Sequence, residues 1–362
     1  MSVRFFGPVG DSSGYGVAVT NFAKAFSRSD VLTKFSFNAN TFSKRVLKDL
    51  KQYEGNTTVD FYLHCPPYNK HQSKAYKIGY FYWETDRLPR YWARDIKQVN
   101  ELWVPCNLVK DACMRARFPG PIKVIPTPCS EWTEEDKIHI PSSFSNDFVL
   151  NEEVYKFYSV FQWQNRKGFD ILLNAYYKAF NNEDRVLLIL KVNPLNIGNY
   201  TENKIKMDIL DLKRKLNLKY YPPVYLSTEI VPSNYIKMLH NTGDCYVSPH
   251  HGEGWGMPIH DAMRMEKQLI VTQYGGVTEY LDNNSAHIIK HKIGSVGGME
   301  WSPLYSPDQN WAHPSIYHLS ALFRDVYENN KNYVKKGVRA REIAETMTID
   351  SVAKIISGEL GE

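Results

Sequence analysis

The run of residues best suited to chemistry is Ser248–Met263, SPHHGEGWGMPIHDAM, in which three glycines surround one acidic residue. It follows an apolar run that predicts a strand, and Pro258 stands where the first turn of a helix is expected. Glu253 would lie in the loop, and Asp261, eight residues later, in the first helical turn. A loop of this kind at the carboxyl end of a parallel strand directs a carboxylate and a row of backbone N–H groups into one crevice.

A second glycine turn, Gln273–Glu279 (QYGGVTE), follows the next predicted strand and would border the same crevice. Taken alone, each loop is an ordinary strand-to-helix connection in which glycine permits a tight turn. Two such loops at neighbouring strand ends favour a ligand site instead.

Strand and helix patterns alternate along the whole chain, and these elements must position the two loops. Predicted strands are Val3–Phe6, Val59–His64, Ile78–Trp83, Glu101–Val104, Lys123–Ile125, Tyr158–Trp163, Arg185–Val192, Val224–Leu226, Asp244–Ser248 and Gln268–Thr272. Predicted helices are Val17–Phe26, Tyr91–Val99, Leu108–Ala116, Asp170–Phe180, Lys204–Leu216, Ser233–Asn241 and Pro258–Glu266. Apolar strands without strict alternation are typical of a parallel sheet covered on both faces, so we expect an α/β protein with two doubly wound domains.

The length of 362 residues exceeds what one hydrophobic core usually serves. Ser130–Asn151 is rich in Pro, Ser, Asn and acidic residues and has little periodicity, so we place the interdomain linker there. The expected organisation is an N-terminal domain over 1–140, a C-terminal domain over 151–340 and a helix over 341–362 that could pack back toward the first domain.

Composition narrows the class of protein. Hydrophobic residues at 43% and charged residues at 23% exclude disordered, collagen-like and disulfide-scaffold proteins. Five cysteines without a C-x-x-C pair argue against structural zinc and against a disulfide framework. The first residues show no signal-peptide pattern and no run of 18 apolar residues occurs, so we expect a cytoplasmic protein without a membrane span.

The net charge of +5 is unevenly distributed. Residues 1–130 contain 19 Lys and Arg against 10 Asp and Glu, whereas the remaining residues contain 25 against 29. A basic first part and a slightly acidic second part suggest that the two domains bind different partners.

Several motifs resemble the retaining family-four glycosyltransferases, which have the two-domain GT-B fold and an E-x7-E segment. EGWGMPIHDAM resembles E-G-x-G-x-P-x-x-E-A-M, and YGGVTEYL resembles the G-G-x-x-E turn. QNRKGFDILLNAYYKAF resembles the R/K-K-G-x-x-x-L-x-x-A segment, GDSSGYGVAVTNFAKAF the glycine-rich first loop, and YFYWETDRLPRYW with ELWVPCNLVKDAC a subgroup pattern. One residue departs from the pattern: Asp261 stands where the family has the longer Glu.

The resemblance implies transfer of a hexose or pentose from a nucleotide sugar, with a UDP-sugar as the expected co-substrate, to an acceptor hydroxyl with retention and without a metal or cofactor. The implied catalytic residues are Glu253, toward the donor sugar, Arg166 and Lys167, as a clamp on the diphosphate, and Glu84, toward the acceptor hydroxyl. The implied nucleotide-binding residues are Asp261, toward the ribose, with Gly254, Trp255, Gly256, Met257, Gly14, Tyr15, Gly16, Gly275, Gly276 and Glu279. Several of these residues also have a non-functional interpretation. Arg166 and Lys167 could be a solvated pair on a loop, and Glu84 could be a capping or ion-paired carboxylate. Trp255 could be part of the hydrophobic core. Glu84-x-Asp86 imitates a metal-binding D-x-D, which this fold does not use.

The acceptor is left open by the sequence. The basic first domain favours an anionic partner such as DNA, a charged glycan or a lipid-linked sugar, and a hydroxymethylated base in DNA is one concrete option. The alternative is that these Lys and Arg residues only solvate the surface. Two other functions compete with the enzyme: a non-catalytic binding subunit with the same fold, favoured by Asp261, and a nucleotide-sugar epimerase on a similar fold.

Overall fold

The computed structural model describes residues 1–8, 14–37, 48–68, 73–131, 151–193, 201–229, 231, 233–299 and 302–361. Most of the predicted linker, and residues 9–13 of the first glycine-rich loop, lie outside these ranges.

The first domain is built on a six-stranded parallel sheet in the order β2-β1-β3-β4-β5-β6. The order reverses direction at β1, which places the ends of β1 and β3 on either side of a switch point. The strands are β1 (Ser2–Gly7), β2 (Leu32–Phe37), β3 (Val59–Leu63), β4 (Tyr76–Tyr80), β5 (Glu101–Val104) and β6 (Ile122–Val124).

The second domain repeats this plan with a parallel sheet in the order β12-β11-β10-β7-β8-β9. A separate antiparallel hairpin, β13-β14, follows it. The strands are β7 (Tyr155–Gln162), β8 (Val186–Asn193), β9 (Val224–Ser227), β10 (Cys245–Ser248), β11 (Gln268–Thr272), β12 (His287–Ile289), β13 (His291–Ser295) and β14 (Asn310–Pro314).

Helices cover both faces of each sheet, so each central strand is buried on two sides. They are α1 (Gly14–Arg28), α2 (Arg90–Asp95), α3 (Asn107–Arg115), α4 (Phe169–Ala179), α5 (Glu202–Leu216), α6 (Ser233–Thr242), α7 (Met257–Arg264), α8 (Ile316–Asn329), α9 (Val334–Glu345) and α10 (Ile349–Leu360). The predicted pair of Rossmann-like domains is therefore confirmed. No helix in the described part of the chain is long and apolar enough to cross a bilayer.

Two segments of the second half of the chain pack on the first domain. Helix α10 lies against α1 and buries Val352 and Ile356 in the same core as Phe26 and Phe61. The β13-β14 hairpin buries Tyr305 and its neighbours among the aromatic residues that follow β4. The two domains are consequently joined by side-chain packing as well as by the connecting chain.

The elements that were predicted differ from the structure mostly at their ends. The strand expected at Ile78–Trp83 begins two residues earlier and ends at Tyr80, so Glu84 lies four residues beyond the strand and not directly after it. Strands β2, β12, β13 and β14 were not predicted. Helix α1 begins at Gly14, so Gly14, Tyr15 and Gly16 form its first turn instead of preceding it.

Candidate active site between the two domains

The loop that carries Glu253 passes against the first domain, and its glycines make this contact possible. A Cβ on Gly252 would lie 2.3 Å from the carbonyl oxygen of Glu84, and one on Gly254 would lie 2.8 Å from Cβ of Tyr82. Gly256 has φ +91° and ends the loop at the start of α7. Gly252 and Gly254 are therefore explained by the close approach of the loop to the first domain, and Gly256 is explained by its positive φ.

The second glycine turn, Gln273–Glu279, packs against the loop that carries Glu253. Gly275 has φ +81°, and a Cβ there would lie 2.1 Å from the carbonyl oxygen of Glu253. The amide of Gly276 donates to that same oxygen at 2.8 Å, and the two loops form an isolated parallel bridge. Gly275 and Gly276 therefore fix the backbone of Glu253, which is a supporting role distinct from the predicted contact with a nucleotide.

Four charged side chains meet at this point. The Nζ of Lys167 donates to Oε1 of Glu253, and Nη1 of Arg166 lies 3.5 Å from the other carboxylate oxygen. Nη2 of the same arginine lies 3.5 Å from Oε1 of Glu84, on the first domain. Arg166 thus connects the donor-side and acceptor-side carboxylates that the sequence had nominated separately.

Burial and charge pairing set the ionisation of this cluster. Burial alone would raise the pKa of Glu253, but Lys167 and Arg166 together hold the pKa of its carboxyl down at about 2. Burial lowers the pKa of Lys167, and the carboxylate of Glu253 opposes that effect. Burial opposes the charge of Arg166, yet Glu84 and Glu253 raise the pKa of its guanidinium above the ordinary value. Glu253 is accordingly ionised throughout the physiological range.

The expected two-cation clamp is only partly realised. Arg166 donates from Nη1 to the carbonyl oxygen of Gly252 at 2.6 Å and is 8% exposed, so its guanidinium is committed to protein groups. Within the described residues its Nε has no hydrogen-bond partner. Lys167 is slightly more accessible, and it lines a small cavity together with Glu253, Ser248 and Pro258. Of the two predicted cations, Lys167 is the more exposed, with 14% of its side chain accessible against 9% for Arg166.

Asp261 lies one turn into α7, in the register that the sequence predicted. Its Oδ1 is buried and, among the described residues, accepts no hydrogen bond. Burial raises the pKa of its carboxyl to about 7, and Arg264 and Lys237 counteract this only partly. A buried carboxylate oxygen that lacks a donor is suited to a ligand that brings hydroxyl groups.

Two nominated residues do not face the cleft. Trp255 is 2% exposed, lies 4.9 Å from the ring of Tyr280 and donates from Nε1 to His260 at 3.3 Å. Met257 is 7% exposed in the same core. The prediction that the Trp255 side chain binds the donor is wrong, because this ring fills the interior of the second domain. Only the backbone of these residues, at the start of α7, is left for a ligand.

The first turn of α1 faces this helix start from the other domain. A Cβ on Gly14 would lie 4.0 Å from Cβ of Met257, and Gly16 is buried. The ring of Tyr15 meets that of Tyr82 edge-on at 5.4 Å. The structure thus brings the two predicted glycine segments to opposite sides of one junction.

Glu279 has a contact that the sequence did not suggest. Its carboxylate accepts from the backbone amide of Asn107 at 2.8 Å and from the Asn107 side chain at 3.0 Å. Asn107 is the first residue of α3, so Glu279 caps a helix of the opposite domain. The carboxylate therefore joins the two domains, and its predicted contact with a nucleotide stays a prediction.

Glu84 is held from two sides. Besides Arg166, the hydroxyl of Tyr305 donates to its Oε2 at 2.7 Å. Sequence reasoning missed Tyr305, because no pattern near residues 302–309 connects that loop to a site 221 residues away. The neighbouring Asp86 accepts from the backbone amide of Asn310 at 2.6 Å, so the E-x-D pair serves the hairpin. Within the described chain, no group of three or more His, Cys, Asp or Glu side chains is arranged to hold a metal ion.

Comparison with known proteins agrees with this picture. Residues 153–293 match the sequence family described as "Glycosyl transferases group 1". No curated protein matches the chain by sequence. The family match spans β7 to β13 and therefore includes Lys167, Glu253 and Asp261.

Solved structures with a similar fold cover nearly the whole chain. HepE of Anabaena, crystallised with UDP and glucose, has a TM-score of 0.71 at 13% identity and covers 100% of this chain and 99% of its own. The trehalose-6-phosphate synthase OtsA has a TM-score of 0.71 at 12% identity, covering 100% and 99%. Sucrose-phosphate synthase from Thermosynechococcus elongatus has a TM-score of 0.67 at 11% identity, covering 99% and 98%.

At these identities the structural neighbours establish the fold. The predicted GT-B architecture is confirmed, and the prediction of a glycosyltransferase is confirmed by the family match over residues 153–293 together with that architecture. The retaining course, the independence of metal, the acceptor and the individual site residues stay predictions.

Proposed function

We propose that the protein is a retaining glycosyltransferase that moves a hexose or pentose from a UDP-sugar to an acceptor hydroxyl, without a metal ion or further cofactor. The observation that carries this proposal is the charged cluster of Lys167, Glu253, Arg166 and Glu84, which is assembled from both domains at the junction of the glycine loops. HepE, with the same fold, has been crystallised with UDP-glucose, which supports the choice of uridine.

The donor would lie at the start of α7. Backbone amides from Gly254 to Met257 and the ammonium of Lys167 would face the diphosphate, because helix N-termini and cations both stabilise anions. Glu253 would accept hydrogen bonds from hydroxyls of the donor sugar. The unpartnered Oδ1 of Asp261 would accept from a ribose hydroxyl.

The reaction would proceed on one face of the sugar. The bond between the anomeric carbon and the phosphate oxygen breaks as the acceptor oxygen bonds to the same carbon, and UDP leaves with the electron pair. The acceptor proton passes to the leaving phosphate oxygen, so no protein nucleophile is required. Lys167 stabilises the charge that develops on the phosphate, and Glu84 orients the acceptor hydroxyl by accepting its hydrogen bond.

We propose an anionic acceptor, supported by the excess of nine positive charges over residues 1–130. DNA that carries a hydroxymethylated base, a charged glycan and a lipid-linked sugar all fit this description. For DNA, binding should weaken steeply with added salt. If no binding occurs at low salt, the glycan and the lipid-linked sugar are preferred.

The test is a donor screen followed by turnover. UDP-glucose, UDP-N-acetylglucosamine, GDP-mannose and ADP-glucose are compared by thermal shift and by release of nucleoside diphosphate, with UDP-sugars expected to stabilise the protein. Glu253→Ala should abolish turnover, and Glu342→Ala, on an exposed face of α9, is the matched control. Product with inverted anomeric configuration, or full activity of Glu253→Ala, would refute the proposal.

A further inference from the structure

The loop between β13 and β14 brings a tyrosine from the second domain to the acceptor-side carboxylate. Almost all of this hairpin lies beyond the residues that match the glycosyl transferase family. Its packing on the first domain is nevertheless extensive, since Val296, Met299 and Tyr305 share a core with Trp83 and Trp92. A hairpin so placed brings the hydroxyl of Tyr305 within hydrogen-bond distance of Glu84.

Hydrogen bonds fix the base of the hairpin loop to the first domain. Asn310 donates to Asp86 from its backbone amide at 2.6 Å and from its side chain at 3.2 Å. The amide of Asp86 donates back to the carbonyl oxygen of Asn310 at 3.1 Å. Three hydrogen bonds between Asp86 and Asn310 therefore hold the start of β14 in a fixed position against the first domain.

The ring of Tyr305 is held independently of its hydroxyl. It stacks on Trp83 with ring centroids 5.0 Å apart and an interplanar angle of 22°. Only 8% of the residue is exposed. Burial raises the pKa of this phenol well above its ordinary value, and the charge of Glu84 adds to the effect. The hydroxyl consequently stays protonated and serves Glu84 as a donor.

Glu84 retains capacity for a ligand in this arrangement. Its Oε2 accepts from Tyr305 at 2.7 Å and its Oε1 lies 3.5 Å from Arg166. Each carboxylate oxygen can accept about two hydrogen bonds, so one direction on each oxygen is open. The side chain is 15% exposed, so part of the carboxylate remains accessible.

We propose that Tyr305 is a positioning residue for the acceptor: it fixes the rotamer and orientation of Glu84, so that one carboxylate oxygen faces the hydroxyl that attacks the donor sugar. This inference rests on the proposed function, in which Glu84 orients that hydroxyl. Tyr305 itself does not touch the substrate, and its effect on the reaction passes through Glu84.

The test compares two tyrosines at the same domain junction. Tyr305→Phe removes the hydroxyl and keeps the stacked ring. Tyr274→Phe is the matched control, because its buried hydroxyl donates to Asn310 of the same hairpin at 3.1 Å and does not contact Glu84. The assay measures release of UDP from UDP-glucose with water as acceptor, together with the Kd for UDP and the melting temperature.

Tyr305→Phe should lower kcat about 10- to 100-fold, the effect of losing one hydrogen bond to a charged group, with little change in KM for UDP-glucose or Kd for UDP. Tyr274→Phe should stay within about two-fold of the wild type in all three quantities. In a Glu84→Ala background the Tyr305→Phe substitution should have almost no further effect on kcat, because the two residues act as one unit.

Three results would overturn the inference. They are a wild-type kcat in Tyr305→Phe, an equal loss of kcat in the presence and absence of Glu84, and a loss of UDP affinity as large as the loss of kcat. The last would show that the hydroxyl supports the fold. If the wild type releases nucleoside diphosphate from none of the four donors, the proposed function is refuted, and this inference with it. The three results above would refute the inference alone, so failure of the inference can be distinguished from failure of the proposed function.

Discussion

The substitution Asp261→Asn separates the effect of a buried carboxylate on the stability of the protein from its effect on ligand binding. In the protein without a ligand, burial raises the pKa of the Asp261 carboxyl from 3.8 to about 7, and its Oδ1 has no donor among the described residues. When the pKa of a carboxyl is higher in the folded than in the unfolded chain, the protein loses stability as the pH rises from the lower pKa to the higher one. Asparagine has nearly the same shape and carries no charge.

The magnitude is set by the two pKa values. The interval from 3.8 to about 7 corresponds to about 4 kcal/mol of destabilisation, fully present above pH 7 and absent below pH 4. Between pH 5 and pH 8 the cost to the wild type should grow by about 2.5 kcal/mol. The free energy of unfolding of Asp261→Asn, relative to the wild type, should increase by that amount over the same range.

The assay is urea unfolding at the two pH values. Asp282→Asn is the matched control: hydrogen bonds from Asn284 and Ser285 outweigh the effect of burial and hold the pKa of Asp282 below 3.8, so its charge is constant from pH 5 to pH 8. Its effect on the free energy of unfolding should therefore be the same at both. A pH-independent difference between Asp261→Asn and the wild type would refute the assignment of a buried, strained carboxylate.

Ligand binding supplies the second half of this prediction. In the proposed complex, ribose hydroxyls would stabilise the ionised form of Asp261, so UDP should bind the wild type about tenfold more tightly at pH 8 than at pH 6. Asp261→Asn should bind UDP more weakly and without this dependence. If the wild-type Kd for UDP is constant over that range, Asp261 does not bind the ribose.

Two further substitution and pH effects are expected from the same geometry. Gly275→Ala should destabilise the second domain by about 1–3 kcal/mol and prevent stabilisation by UDP, because its φ of +81° is strained for alanine and the new Cβ would displace the backbone of Glu253. Thermal unfolding with and without UDP measures the loss of stability and the loss of UDP binding. A wild-type response in both measurements would contradict the supporting role of this turn. Acid should unfold the protein steeply, since burial lowers the pKa of four histidines to about 3 or 4, and stability is lost as the pH falls below 6.5 and the unfolded chain takes up protons that the folded chain excludes. Allowing for the opposite effect of Asp261, the free energy of unfolding should fall by about 4 kcal/mol per pH unit near pH 5, and a slope below about 1 kcal/mol would contradict the burial of neutral histidines. The four are His240, His250, His260 and His287.

The predictable part of the site is the part specified by local backbone. Glycines that follow apolar runs indicate tight turns at strand ends, and this was sufficient to place the Glu253 loop and the Gly275 turn side by side. It was also sufficient for the two sheets, because buried parallel strands are recognised by continuous apolar runs. Strand β2 was not predicted, although its buried residues Thr33 and Phe35 alternate with more exposed ones, as expected for an edge strand.

The unpredictable part depends on contacts between distant segments. Trp255 stands between two glycines in a loop, and only the packing of Tyr280 and His260 decides that its ring points inward. The hairpin strands HKIGS and NWAHP show no clear alternation, because they are stabilised by packing on the other domain. The contact between Glu279 and Asn107 was not predictable for a similar reason, because the two residues are 172 positions apart in the sequence.

Contacts of this kind also change the chemistry expected of Arg166. As a clamp residue it would have shared the diphosphate with Lys167, but in the structure its guanidinium is bound to Gly252 and near Glu84 and Glu253. In the proposed donor complex, the charge of the diphosphate would then be balanced by Lys167 and by backbone amides at the start of α7. Before a donor binds, however, Lys167 is paired with Glu253.

The carboxylate of Glu253 and the diphosphate should therefore compete for one ammonium group. Glu253→Gln removes that competitor and a like charge beside the phosphate, so UDP alone should bind this variant several-fold more tightly than it binds the wild type. Turnover should nevertheless fall, because the amide is a poorer acceptor for the sugar hydroxyls. Calorimetric titration with UDP tests this, with Lys167→Met as the opposite control, in which affinity should be lost. If Glu253→Gln weakens UDP binding as Lys167→Met does, Glu253 holds the lysine in place for the phosphate and does not compete with it.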